Sequence, residues 1–118
     1  MAEQLPKKTE KPWGYELLFA HTDRYAAMVV SVKKGHRFSL HYHEKLDEIH
    51  YIVRGKAIME LEDINGNRTE LDVASDSFYR ILPLTKHRLR AIEDRVIFQV
   101  STSEITDTVR LVDDYGRV

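Results

Sequence analysis

Two histidines one residue apart, His41 and His43, precede Glu48 by a short interval, and His87 follows much later. Alternate residues of a strand face the same side, so His41 and His43 project together. A tight antiparallel return after His43 would bring the Glu48 carboxylate beside them on the neighbouring strand. Two imidazoles and one carboxylate then form a facial set for a divalent transition metal, with coordination positions left open. Open positions are where water or a substrate oxygen is activated. His87 opens an apolar run after a loop containing Pro83 and supplies a fourth donor if its strand faces the same interior. The expected cofactor is one divalent transition metal ion, and the donors suit Mn, Zn, Fe, Ni or Co alike. The competing reading of His41 and His43 is a His-x-His pair on a surface strand. Glu48 at the right offset, the bounding Gly35 and Gly55, and the later His87 weigh against it.

Further residues share the expected interior. His50 follows Glu48 by two, so it belongs on the same face of its strand. It is the candidate catalytic base, a neutral imidazole within reach of a bound substrate. The alternative is a residue that orients Glu48. Arg37 has the parity of His41 and His43 and is the candidate for binding a substrate phosphate or carboxylate. The alternative is a half-exposed arginine packed along its stem. Gln99 interrupts the apolar run Val96 to Val100 and is the second candidate substrate-binding residue, unless it lies on the solvent side. Of Phe78 and Tyr79, one faces in and the other out. Arg88 and Arg90 alternate against His87 and are expected on a solvated face or a subunit contact. His21 and His36 are expected outside the site. Trp13 is expected to pack the N-terminal segment over the body of the fold.

These side chains need rigid supports, and the pattern supplies strands. Short apolar, β-branched runs recur between turn residues. They are Ala26–Val32, Arg37–His43, Glu48–Val53, Ala57–Glu62, Arg68–Leu71, Phe78–Leu82, His87–Ile92, Val96–Ser101 and Thr108–Val112. Asn65-Gly66 is the clearest turn, read as a type I′ hairpin. No window supports an independent helix; the best, Ser103 to Asp107, is too short. Residues 1–11 are polar and are expected to form an extended arm. An all-β chain of many short strands protects its edges as a sandwich or a closed barrel.

The chain has 118 residues, which suits one domain spanning 1–118. Eighteen basic against nineteen acidic side chains give a net charge of −1. That balance argues against a nucleic-acid partner held by counterion release, and against a polybasic membrane anchor. The absence of cysteine removes thiolate metal sites, disulfide scaffolds and cysteine nucleophiles. No apolar run is long enough to span a bilayer, and the first residues lack a signal-peptide core. The expected location is the cytoplasm, and the expected partners are a small-molecule ligand and a second copy in a homodimer. The dimer is inferred from small size and exposed edges.

At the histidine stretch the chain resembles a cupin. The first cupin motif, G-x5-H-x-H-x(3,4)-E-x6-G, is matched at Gly35, His41, His43, Glu48 and Gly55. In the second motif, G-x5-P-x-G-x2-H-x3-N, His87 takes the histidine position. The glycine positions fall on Asp76 and Leu84, the proline position on Leu82 with Pro83 next, and Ala91 replaces the asparagine. The histidine survives and the turn chemistry does not. Lys11-Pro12-Trp13-Gly14 and Val109 to Arg117, which includes Asp113-Asp114-Tyr115-Gly116, are similar to the flanks of type II mannose-6-phosphate isomerase cupin domains. The resemblance implies a small double-stranded β-helix barrel of the jelly-roll type. It also implies a metal held by His41, His43, Glu48 and His87, and an isomerase acting on a sugar phosphate or a similar hydroxy-carbonyl compound. An iron-dependent dioxygenase and a non-catalytic ligand-binding or sensor module are the competing functions.

Overall fold

A computed structural model describes residues 4–116. Eleven strands run in the order β1 Lys7–Lys11, β2 Gly14–His21, β3 Ala26–Val32, β4 Leu40–Tyr42, β5 Glu48–Arg54, β6 Ala57–Glu62, β7 Arg68–Val73, β8 Phe78–Ile81, β9 Lys86–Ala91, β10 Arg95–Ser101 and β11 Val109–Val112. They form two antiparallel sheets, of order β1-β2-β3-β10-β5-β8 and β11-β4-β9-β6-β7. From β3 onward the chain crosses from one sheet to the other at every step except the β6–β7 hairpin, which makes the fold a two-sheet jelly roll. The inner faces meet in a core in which Ile52, Met59, Leu89 and Ile97 are fully buried. Period-2 alternation sets the facing. In β5, Glu48, His50 and Ile52 are buried, while Ile49, Tyr51 and Val53 are exposed.

Two strands were not read from the sequence. β2 carries Leu17-Leu18-Phe19 without clean alternation, because the pairing with β3 shifts between Leu18 and Ala20. Leu18 enters the core, and Phe19 turns outward against the ring of Phe98 at 5.3 Å. The segment expected as an arm is the edge strand β1 over Lys7–Lys11, paired with β2 from Lys7↔Leu18 to Lys11↔Gly14. Its polarity hid it, since an edge strand with solvent on one face and a cavity mouth on the other has no hydrophobic signature.

Two turns also differ from expectation. Asn65 does not adopt positive φ, so the β6–β7 connection is not type I′. Instead the Asp63 carboxylate accepts the amides of Asn65 and Asn67, and Gly66 alone is left-handed. The positions where the second motif has glycine, Asp76 and Leu84, are the only non-glycine residues with positive φ among the described residues, at 66° and 68°. The backbone conformation is therefore kept although the glycines are gone.

Candidate metal centre

His41, His43 and His87 bring one ring nitrogen each to within 4.8 Å of one another. The supports differ from the sequence expectation. Glu48 does not lie on a strand adjacent to His41. β4 pairs with β9 and β11, whereas β5 belongs to the opposite sheet. The carboxylate therefore reaches the histidines across the interior rather than along a hairpin. On the histidine side, one cross-strand row carries Arg110, His41, His87 and Leu61. On the carboxylate side, Ser101, Glu48 and Ile81 share a row. Glu48 Oε2 lies 3.4 Å from His43 Nε2, and Oε1 lies 3.8 Å from His87 Nε2.

The outer nitrogen of each histidine is tied to the backbone. Nδ1 of His41 donates to the Ser39 carbonyl at 2.8 Å, Nδ1 of His43 to the Asp107 carbonyl at 2.6 Å, and Nδ1 of His87 to the Thr85 carbonyl at 2.9 Å. A proton on Nδ1 of a neutral ring leaves the Nε2 lone pair free. Burial pushes the His41 pKa down to about 3 and the His87 pKa down to about 4. Both rings are thus neutral at physiological pH, the form that ligates. Burial alone would raise the Glu48 carboxyl, but His50 and the hydrogen bond it donates outweigh this and hold it at about 2.

One oxygen of that carboxylate accepts no hydrogen bond among the described residues, although His43 Nε2 lies 3.4 Å away. Oε1 accepts the His50 Nε2 proton at 2.8 Å, while Oε2 is buried without a hydrogen bond among the described residues. A buried anionic oxygen left bare is costly. A cation among the three Nε2 atoms and this oxygen would relieve it, so the residues present fit a divalent metal. His41, His43 and His87 could hold such an ion, and the Glu48 carboxylate lies beside them.

His50 is buried and shares the cavity-facing row with Gln99 and Tyr79. Its Nδ1 takes the Tyr79 hydroxyl at 2.8 Å while its Nε2 serves Glu48. Neither nitrogen is left to act as a base, so the geometry fits the orienting alternative. Beyond Tyr79 lies Arg95, fully buried beside the Tyr79 hydroxyl but without a well-formed hydrogen bond. Gln99 lines the cavity. Arg37 does not. Its Nε and Nη2 both donate to the Asp114 carboxylate. The expected parity fails because consecutive residues Phe38 and Ser39 both face the cavity, which resets the alternation before His41.

Arg88, expected on a solvated face, is buried. It donates to the carbonyls of Phe38 and Val112, whereas Arg90 is exposed. Tyr79 faces in and Phe78 faces out. His21 and His36 lie outside the cavity. His36 holds Tyr115 through its hydroxyl at 2.8 Å. Trp13 is buried against Phe38, with ring centroids 4.5 Å apart.

The cavity in front of the centre has a volume of about 340 Å³. Trp13, Leu18, Met28, Phe38 and Ile105 make its apolar wall. Several contributors escaped the sequence reading. Lys7, Thr9 and Lys11 enter from β1, Arg110 from β11, and Thr106 and Thr108 from the preceding loop. The Lys-x-Thr-x-Lys alternation was the available signal for β1. Nothing local marks Asp107, whose carbonyl orients His43 and whose carboxylate accepts the amides of Lys45 and Leu46.

No family model and no curated protein matches the chain. Among solved structures, KdgF from Halomonas sp. is similar at 25% identity and a TM-score of 0.70, covering 83% of this chain and 86% of that one. The capsular polysaccharide assembling protein CapF of Staphylococcus aureus matches with 21% identity and a TM-score of 0.76, over 91% of this chain and 32% of its own. Oxalate decarboxylase from Bacillus subtilis matches with 19% identity and a TM-score of 0.81, over 97% and 32%. The chain thus spans about a third of the last two proteins.

Proposed function

We propose that this chain, a cupin by fold, is a divalent-metal-dependent enzyme acting on a small hydroxy-carbonyl compound. The observation that carries this is the convergence of three Nε2 lone pairs and the Oε2 of Glu48, which accepts no hydrogen bond, in a cavity between the two sheets. His41, His43, Glu48 and His87 would hold the ion. When bound, such an ion polarises carbonyl and hydroxyl oxygens. The remaining steps belong to the chain. His50 holds a proton at Nε2 and fixes the plane of the Glu48 carboxylate. The Gln99 amide is placed to accept and donate to hydroxyls of a bound substrate. The apolar wall from Trp13 to Ile105 excludes water and strengthens polar contacts inside.

An aldose–ketose isomerisation of a sugar phosphate is the finer reading. The flanking resemblance supports it, with Trp13 and Phe38 at the cavity wall. The solved neighbours do not choose the reaction, since one assembles a capsular polysaccharide and another decarboxylates oxalate. The test is elemental analysis of the purified protein beside a His41→Ala/His43→Ala variant. One equivalent of metal in the parent and none in the variant is expected. No metal in the parent under any loading condition overturns the proposal. Catalysis is then tested directly by following the interconversion of mannose 6-phosphate and fructose 6-phosphate.

The working unit is proposed to be a homodimer. The outer face of the six-stranded sheet exposes Phe19, Ile49, Tyr51, Phe78, Phe98 and Val100. Molecular extents of 40 × 30 × 30 Å give that face room for the ~800 Å² per partner of a standard interface. A second copy can pack on it about a two-fold axis, because an apolar sheet face is complementary to itself.

A further inference from the structure

We propose that Lys7, Lys11 and Arg110 form an anion-binding lip of the cavity, and that the substrate carries a carboxylate or phosphate there. This rests on reading the cavity as the substrate site. The placement follows from register. Lys7 opposes Leu18, Leu18 opposes Met28, Met28 opposes Gln99, and Gln99 opposes His50. Paired residues in an antiparallel ladder project to the same face. One row therefore runs from Lys7 on the edge strand to His50 beside the metal ligands. Alternation along β1 puts Thr9 and Lys11 on that inner face with Lys7.

From the other sheet, Arg110 opposes His41 directly and so shares the inner face with it. All of these residues line the same cavity. Arg110 Nε is buried without a hydrogen-bond partner among the described residues. A buried donor of this kind is satisfied by an acceptor entering the cavity. Two carboxylates line the same cavity, Glu48 beside the histidines and Glu16 beside the lysines, where Lys11 rests on it at 3.8 Å. Three cations against these two anions leave the cavity net positive, with Glu48 at the histidine end and the cations at the lip. A substrate with an anionic end would lay that end on the lip and its hydroxy-carbonyl end toward the histidines. Guanidinium and ammonium groups bind carboxylate and phosphate oxygens through charge-assisted hydrogen bonds. Anion recognition thus moves from Arg37, which Asp114 occupies, to strands β1 and β11.

The competing account is that inward-pointing lysines merely guard an edge strand against pairing with another chain. The experiment separates the two. In ¹⁵N NMR spectra of the metal-stripped protein, the Arg110 Nε–H signal is followed while inorganic phosphate and, separately, acetate are added. Saturable shifts are expected. Their affinity should fall about tenfold in Lys7→Gln/Lys11→Gln and be retained in Lys7→Arg/Lys11→Arg. Saturation by phosphate alone, or by acetate alone, assigns the end group. No saturable shift with either anion overturns the lip. So does an unchanged affinity in the glutamine variant, and self-association of that variant with unchanged affinity would establish edge protection instead. Working on stripped protein keeps this outcome apart from metal binding, which elemental analysis reads independently.

Discussion

Tyr79 and His50 show how single side chains set the centre. His50 bridges Glu48 and Tyr79 with both ring nitrogens, so the carboxylate is held by a chain of hydrogen bonds rather than by one contact. Arg95 lies buried beside the tyrosine hydroxyl at the far end, without a well-formed hydrogen bond among the described residues. Tyr79→Phe leaves His50 Nδ1 without its donor. A lost buried hydrogen bond costs about 1–3 kcal/mol of stability. Removing an outer partner of a metal site costs about 10–100-fold in metal affinity. Competition against a chelator of known affinity measures the second effect, and unchanged affinity would show that Tyr79 does not position Glu48. The residue types at this scale were legible. His41, His43 and His87 converge as their chemistry suggested. The roles of Arg37 and Arg88 were not, because their partners Asp114, Phe38 and Val112 are distant in sequence.

At the scale of elements, the loops between strands carry the surprises. The two turns that resemble glycine positions of the second motif keep left-handed backbone at Asp76 and Leu84. They do so by different means. Asp76 tolerates the conformation as a short polar residue, donates its amide to the Ile52 carbonyl and accepts the Tyr51 hydroxyl at 2.8 Å. Leu84 has no such side-chain partner in the structure; its amide donates to the His43 carbonyl at 2.7 Å, so the turn supports a ligand-bearing segment. Leu84→Gly is therefore expected to stabilise the fold by roughly 1 kcal/mol, since a left-handed non-glycine residue costs about that much. Asp76→Gly, which also removes the Tyr51 contact, is expected to give no gain. Urea unfolding midpoints of the two variants distinguish these outcomes, and a lower midpoint for Leu84→Gly would refute the argument. The histidine–Glu48 geometry was legible only as a set. Its topology was not, because a short return after His43 fits an adjacent strand as well as a crossover to the facing sheet.

For the whole molecule, the two sheets divide the labour. One presents His41, His87 and Arg110, with His43 just past the end of β4, and the other presents Glu48, His50, Gln99 and the lysines of β1. The outer face of the second sheet is apolar and is the proposed dimer surface. Sedimentation should give twice the mass of the chain, and Phe98→Glu, at the centre of that face, should return it to the monomer. A monomeric parent would refute the dimer while leaving the centre intact. Among the described residues no helix is long and apolar enough to cross a membrane.

Among the described residues, nine of the eleven strands were readable from alternation and turn residues, as was the histidine cluster of His41, His43 and His87 from residue type and spacing. Those are local properties: period-2 patterning marks a half-buried strand, and a His-x-His pair on it must project together. The tertiary structure decided what local pattern cannot contain. It placed β4 and β5 in opposite sheets, gave Arg37 to Asp114, buried Arg88, and turned a polar N-terminal segment into the strand that lines the cavity mouth. An edge strand with solvent on one face and a cavity mouth on the other, and a partner far away in sequence, leave no periodic trace. Only the closing of one sheet over the other determines them.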